Sequence, residues 1–226
     1  MRTRLLLALN VALIGGCAAK DPSAAARAKR EKTDAEWNSA EPQKEAAINA
    51  DTRFAAGQLA ESQGQPDLAV AQYREALKLN PAHAASLYRL GVLFTQSRQY
   101  AEALEHWKQY VSATGGTAVA YNNLGFCLEL AGKSEDAEQA YRAGIARDGA
   151  SQQCRVNYGL LLARSGREAE AIEQLSAVLK PAEVHYNLAS VYEQLGRTVQ
   201  AKAEYERAIQ LDPKLWEAQS RLSRIE

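Results

Sequence analysis

The sequence has no excess of either charge. Twenty-seven lysines and arginines face 27 aspartates and glutamates. Without a basic patch or stripe it lacks the electrostatic footprint of a nucleic-acid binder. It has no runs of alternating β-branched residues, which excludes a core built on sheets. Its three histidines, His83, His106 and His185, stand isolated, with no cysteine or carboxylate at the spacing a metal site needs. There is no nucleophile motif and no glycine-rich phosphate loop following a strand. These gaps predict a protein without catalytic residues, metal, cofactor or small-molecule substrate.

What remains is rich in helix formers. Alanine, leucine, glutamate, glutamine and arginine dominate, and 46% of the 226 residues are hydrophobic, enough to bury a real core. Beyond the first residues, the expectation is an all-α protein.

The N-terminus reads as a targeting segment rather than as part of the fold. "MRTR" supplies a positive region, and Leu5–Ile14 supplies ten residues that are apolar except for Asn10. Ten helical residues reach about 15 Å, too short for a hydrocarbon core of roughly 30 Å. "IGGC" then places Ile14, Gly15 and Gly16 before Cys17. This resembles a bacterial lipobox, which implies a signal peptide over residues 1–16 and lipidation of Cys17. Removal of Arg2 and Arg4 leaves the mature chain slightly acidic. Ala18 follows the cysteine where an aspartate would signal inner-membrane retention in enteric bacteria. The resemblance therefore implies the periplasmic face of the outer membrane in a Gram-negative host.

Residues 17–44 change composition to alanine, lysine, arginine, glutamate, serine and proline, with Trp37 as the only aromatic. This is a tether, partly helical after Ser23, with a mean reach of roughly 30 Å. Its "RAKREK" run, Arg27 to Lys32, either touches anionic headgroups or is simply solvated beside its acidic neighbours.

The rest of the chain repeats itself. "LNP" at Leu79 and "LDP" at Leu211 each end a helical run with the pattern A-x-x-x-Y-x-x-A: Ala69, Tyr73 and Ala76, then Ala201, Tyr205 and Ala208. Ala103 with Trp107 and Ala137 with Tyr141 keep the same offset, one face of a helix. Upstream of each stands a small residue: Gly57, Gly91, Gly125, Gly159 and Ala189, spaced by 34, 34, 34 and 30. An interior glycine costs about 1 kcal/mol relative to alanine, so its recurrence at one register demands a close helix contact.

A period of 34 with these residues resembles the tetratricopeptide repeat, a helix–turn–helix unit. The resemblance implies a right-handed α-solenoid. Five repeats fall at about 50–83, 84–117, 118–151, 152–181 and 182–215, with a capping helix over 216–226, so that the solenoid occupies residues 45–226. In the third repeat Tyr121, Leu124 and Leu128 form the apolar stripe of the first helix, and Tyr141 fills the space beside it. Gly115, Gly149 and the prolines break the chain between repeats. The fourth repeat is about four residues short, close to one helical turn, which predicts a local change in curvature before the fifth. Cys127 and Cys154 fall in adjacent repeats with an axial offset of about 10 Å, too far for a disulfide, and read as small core residues.

Asn123, Asn157 and Asn187 share the sixth place of their repeats, on the first helix; Ala55 and Arg89 hold that place in the first two. First helices line the concave surface of such an array. The arrangement resembles the asparagine ladder of O-linked N-acetylglucosamine transferase, where amides hold a peptide backbone. Here the amides either do the same or solvate the concave wall. Phe54, Tyr88, Asn122, Val156 and Tyr186 flank them, with Val92, Phe126 and Leu160 one turn on. Aromatic and aliphatic groups beside amides suit an extended or helical peptide. The paired lysines of a carboxylate clamp are absent, and Arg89 with the asparagines does not replace them.

The expected function is a lipid-anchored scaffold that binds a protein or peptide partner in the concave groove. It looks similar to repeat lipoproteins that act as pilotins or assembly factors for type IV and tight-adherence pili, and to those that recruit cell-wall hydrolases. An accessory subunit of an envelope enzyme, such as a glycosyltransferase, is the alternative.

Overall fold

Helix starts are written locally in the sequence. The side chain of Asn49 accepts a hydrogen bond from the Thr52 amide at 2.8 Å, that of Thr117 from Ala120, and that of His83 from Ser86. Each satisfies a backbone donor that the first helical turn leaves free. Pro66 and Pro181 open their helices at the first position, where the missing N–H costs nothing.

The structure, a computed structural model, describes residues 48–225 together with Arg27, Lys29, Arg30 and Lys32. The signal peptide, Cys17 and Trp37 lie outside the described residues. Residues 48–225 form helical hairpins in sequence order. These are α1 (Ala50–Ser62) with α2 (Pro66–Leu79), α3 (Ala84–Gln96) with α4 (Tyr100–Ala113), and α5 (Ala118–Leu130) with α6 (Ser134–Arg147). Then come α7 (Gln152–Arg164) with α8 (Glu168–Ser176), α9 (Pro181–Gln194) with α10 (Thr198–Leu211), and the lone α11 (Trp216–Ile225). No strand occurs among the described residues. Five hairpins followed by a single helix agree with a count of about five repeats. We call the two helices of each repeat A and B.

The recurring glycines have the expected cause. A Cβ built on Gly57 would stand 2.4 Å from the Tyr73 ring, on Gly91 2.6 Å from Trp107, and on Gly125 2.7 Å from Tyr141. At Gly159 it would meet Leu175 at 2.8 Å. Each large helix-B side chain thus lies flat over the bare backbone of its own helix A. Tyr73 and Tyr141 are fully buried there, as is Tyr205 in repeat 5, where Ala189 takes the place of the glycine. Burial of a side chain of this size contributes roughly 2 kcal/mol. Neighbouring hairpins also share these residues in one continuous core, so no repeat closes its core alone.

The A–B turn places one residue in the left-handed region: Gly64, Gly132, Gly166 and Gly196, with φ between 69° and 77°. Repeat 2 puts Arg98 there at φ 59°, the one non-glycine among the described residues with positive φ.

In repeat 4, helix α8 has nine residues where its counterparts have fourteen. Its truncation leaves the step from α8 to α9 with the thinnest packing of any helix B on the following helix A. Cys127 and Cys154 are both buried and free, as small core residues.

Candidate functional site

The fifth residue of repeats 1 and 2 is a partly exposed aromatic on helix A. At Phe54 and Tyr88 this produces a run of rings. Phe54 packs on Tyr73 at 5.5 Å between centroids, and Tyr88 meets Trp107 edge-on at 5.5 Å and 81°. Tyr110 closes the group, 5.6 Å from Tyr88 and 5.8 Å from Trp107. Such tilted and edge-to-face pairs suit the ring quadrupoles.

Two cavities open beside these rings, and Tyr88 belongs to both. One, of about 280 Å³, lies between repeats 1 and 2 and is bounded by Phe54, Ala84, Ala85, Tyr88, Arg89 and Tyr110. The other, of about 180 Å³, lies between repeats 2 and 3. Tyr88, Trp107 and Phe126 form its walls with Val92, and its polar lining is Thr95, Gln96 and Asn123. Tyr88 is 36% exposed and Phe126 46%, whereas Trp107, at 4%, is the floor. Together the cavities mark an apolar groove along the A helices of repeats 1–3.

At the first and last steps the sixth-place side chain reaches the twelfth residue of the repeat before it. At the first step Arg89 pairs with Glu61 through two contacts. This raises the Arg89 pKa through hydrogen bonding to that carboxylate. Tyr73 sits beside the pair; burial and then the Glu61 charge push its hydroxyl up to about 12. At the last step Arg221 of the cap donates to Glu193 at 3.3 Å, and Glu193 also accepts from the Tyr205 hydroxyl at 2.6 Å. Between repeats 3 and 4, Glu129 accepts from Tyr141, and Arg164, one place beyond the twelfth, supplies the cation.

The second step has no such bridge. Thr95 stands where glutamate would, donates to the Gly91 carbonyl at 2.7 Å and accepts from the Trp107 indole at 3.1 Å. Asn123 stands where arginine would. Its Nδ2 is buried without a hydrogen-bond partner. The smaller cavity is the space the bridge leaves.

The three sixth-place asparagines are therefore not a row of equivalent free amides, which corrects the expected ladder. Asn157 donates to Oδ1 of Asn122 on the previous repeat at 2.8 Å. Asn187 turns back to the carbonyl of Glu183, also at 2.8 Å, within its own helix. Asn122 is itself buried, so it braces Asn157 rather than lining an open groove. The reason is that the groups within reach of the sixth place differ at each step: an amide of the previous repeat for Asn157, a carbonyl of its own helix for Asn187, and none for the Asn123 donor. Arg89 does border the first cavity, but its guanidinium is held by Glu61. Phe126 and Tyr88 both line the cavity between repeats 2 and 3. Tyr186 lies apart, packing on Tyr205 and facing a separate cavity with Trp216, Ser220 and Arg224.

Sequence reasoning placed Trp107 only in the core and passed over Thr95 and Tyr110. The readable signal was the twelfth place, where Glu61, Glu129 and Glu193 recur and Thr95 and Ala163 interrupt them.

The histidines have local roles. His83 caps α3 and meets Asp51 at 3.0 Å, and His185 meets Glu204 at 2.6 Å. His106 stacks on Phe94. Among the described residues no three His, Cys, Asp or Glu side chains gather as a metal site, and no helix is long and apolar enough to cross a membrane.

This geometry defines a class: a helical-repeat scaffold for protein–protein interaction, with its apolar groove on one helix face. The chain belongs to the tetratricopeptide repeat family, whose models match residues 54–125, 131–183 and 182–215. Members of this family bind protein or peptide partners. It is similar to the general transcriptional corepressor trfA of Dictyostelium discoideum, 30% identical over 55% of this chain and 9% of that one. A probable UDP-N-acetylglucosamine–peptide N-acetylglucosaminyltransferase, SPINDLY, of Hordeum vulgare is 26% identical over 50% of this chain and 13% of its own length. The chain thus spans a small fraction of the curated relatives it matches. Among solved structures, pilF of Pseudomonas aeruginosa covers 89% of this chain and 93% of its own, with 16% identity and a TM-score of 0.58. YrrB, described as a TPR protein with an unusual peptide-binding site, covers 76% and 91%, with 22% identity and a TM-score of 0.57.

Proposed function

We propose that the protein is a membrane-tethered scaffold of the cell envelope, anchored by a lipid on Cys17, that holds a protein or peptide segment along the A helices of repeats 1–3. The observation that carries this reading is the pair of apolar cavities sharing Tyr88. Buried aromatic anchors in such cavities supply most of the binding energy of protein interfaces. The lipobox-like "IGGC" supports the anchor. The resemblance of signal, tether and repeats to pilotin-type lipoproteins supports a role in assembling pilus, secretion or cell-wall machinery. In a Gram-negative host the protein sits on the periplasmic face of the outer membrane.

The test is metabolic labelling with a clickable fatty acid, followed by crosslinking and affinity purification from native membranes. The wild type takes the label and retains an envelope protein. Cys17→Ser loses both the label and the membrane fraction. Equal labelling of Cys17→Ser overturns the anchor, and a wild type that crosslinks to no protein overturns the scaffold.

A second reading, an accessory subunit of an envelope glycosyltransferase, draws on the match to SPINDLY. It predicts that a neighbouring transferase loses substrate binding when this protein is deleted.

A further inference from the structure

We infer that the cavity between repeats 2 and 3 is an anchor site for one phenyl-sized aromatic side chain of the partner segment, with the Asn123 amide serving that segment's backbone. The inference rests on the proposal that the A-helix face binds a protein segment, and it names what that segment must carry.

Three observations converge on this occupant. The first is size: the cavity measures about 180 Å³. An apolar cavity of roughly 150 Å³ accommodates benzene, so a phenyl ring fits here with little room to spare. The second is charge. No Asp, Glu, Lys or Arg lines this cavity, and a charged anchor would be desolvated there without a counter-charge. The rings of Tyr88, Trp107 and Phe126 instead offer edges and faces to another ring. The third is the buried Asn123 Nδ2, which no group of the chain accepts from. An unsatisfied buried donor is unfavourable until an acceptor arrives. A peptide carbonyl next to the inserted ring is such an acceptor once the amide turns toward the cavity.

The comparison with the first and last steps shows what opens this one. The Glu61–Arg89 and Glu193–Arg221 bridges occupy the equivalent positions at the first and last steps. Thr95 and Asn123 are both shorter and neutral, so the same geometry leaves an open, uncharged space. Trp107 stands where repeats 1, 3 and 5 have tyrosine and repeat 4 has Leu175, and its indole donor is matched to Thr95. The substitutions act together as one altered step.

The test uses the full chain labelled with ¹⁵N at its three tryptophans, of which Trp107 lines this cavity. The probe is N-acetyl-phenylalaninamide, with N-acetyl-aspartic acid amide as the charged control. The phenylalanine probe should shift the Trp107 indole N–H resonance and saturate, while the control leaves it in place. The double variant Thr95→Glu, Asn123→Arg rebuilds the bridge seen at the first step and should weaken the probe at least tenfold. Val92→Trp, which fills the cavity mouth, should do the same; thermal melts identify whichever variant remains folded. No shift with the phenylalanine probe, an equal shift with the charged control, or undiminished affinity in a folded closed variant overturns the inference. The envelope partner captured by crosslinking separates the two levels. If it still binds the folded double variant, the anchor site falls and the scaffold stands. If no partner is captured from the wild type, the scaffold itself falls.

Discussion

The first and second inter-repeat steps share a backbone plan and differ in the polar pair at their rim. At the first, Arg89 and Glu61 tie the repeats together; at the second, Asn123 and Thr95 leave a cavity with an unsatisfied amide. Both rest on the same glycine–aromatic contact, Gly57 under Tyr73 and Gly91 under Trp107. The difference teaches that stacking and recognition are separable in this array. Buried rings hold the repeats in register, and the polar pair at the rim decides whether the step is closed or open.

The largest effect should come from breaking what all the steps share. Gly125→Leu drives a side chain into the Tyr141 ring, where even a Cβ would approach to 2.7 Å. Overpacking of this kind costs on the order of 3 kcal/mol. Urea melts should show a lower midpoint, and a variant as stable as wild type would contradict the packing register.

The next test turns on two asparagines at one register. Asn157→Leu removes the donor to Asn122 and leaves a buried acceptor unpaired, a loss of about 1–2 kcal/mol. Asn123→Leu removes an orphaned donor from an apolar wall and should gain about 1 kcal/mol. Opposite signs at equivalent positions are expected in paired urea melts. Equal losses would mean that Asn123 has a partner after all.

Repeat 2 departs again at its turn. Arg98 occupies a left-handed position that four other repeats give to glycine. Relief of that conformation is worth about 1–2 kcal/mol, offset by roughly 0.5–1 kcal/mol of added freedom in the unfolded glycine chain. Arg98→Gly should therefore raise stability by about 0.5–1 kcal/mol, read as a small upward shift in Tm. A lower Tm would show that the Arg98 side chain holds the turn by contacts worth more than the strain.

The smallest effect is a pH dependence. Burial, and then the charge of Arg74, holds the His106 imidazole below its usual value, against a weaker opposing pull from Glu105. The unfolded chain takes up this proton more readily, so its contribution to stability is complete above about pH 6.5 and falls as the pH drops toward the depressed value. Tm measured on the acid side of neutrality should decline less in His106→Leu than in the wild type. Parallel curves would show that other groups set the acid response.

Much of the fold was legible because it is periodic. Gly57, Gly91, Gly125 and Gly159 announced the contact with a helix-B side chain, and Pro181 announced the short fourth repeat. The groove was legible only in outline. Tyr88 and Phe126 were readable from their place after each repeat start. Trp107 was hidden because the same residue is both core and cavity floor. The asparagines misled because identical spacing suggested identical surroundings.

The sequence by itself determined the helices, their pairing into hairpins and the positions where backbone must meet ring. Those follow from local propensity, caps and a 34-residue period, which act within one repeat. Only the tertiary structure decided which amide is free, which arginine is spent on a bridge and where the array opens. Several helix-A side chains, Arg89 and Asn157 among them, find their partners on the repeat beside them, and those partners differ from step to step. Thr95 and Asn123 lie 28 residues apart in the chain, and their joint effect exists only once the repeats have stacked.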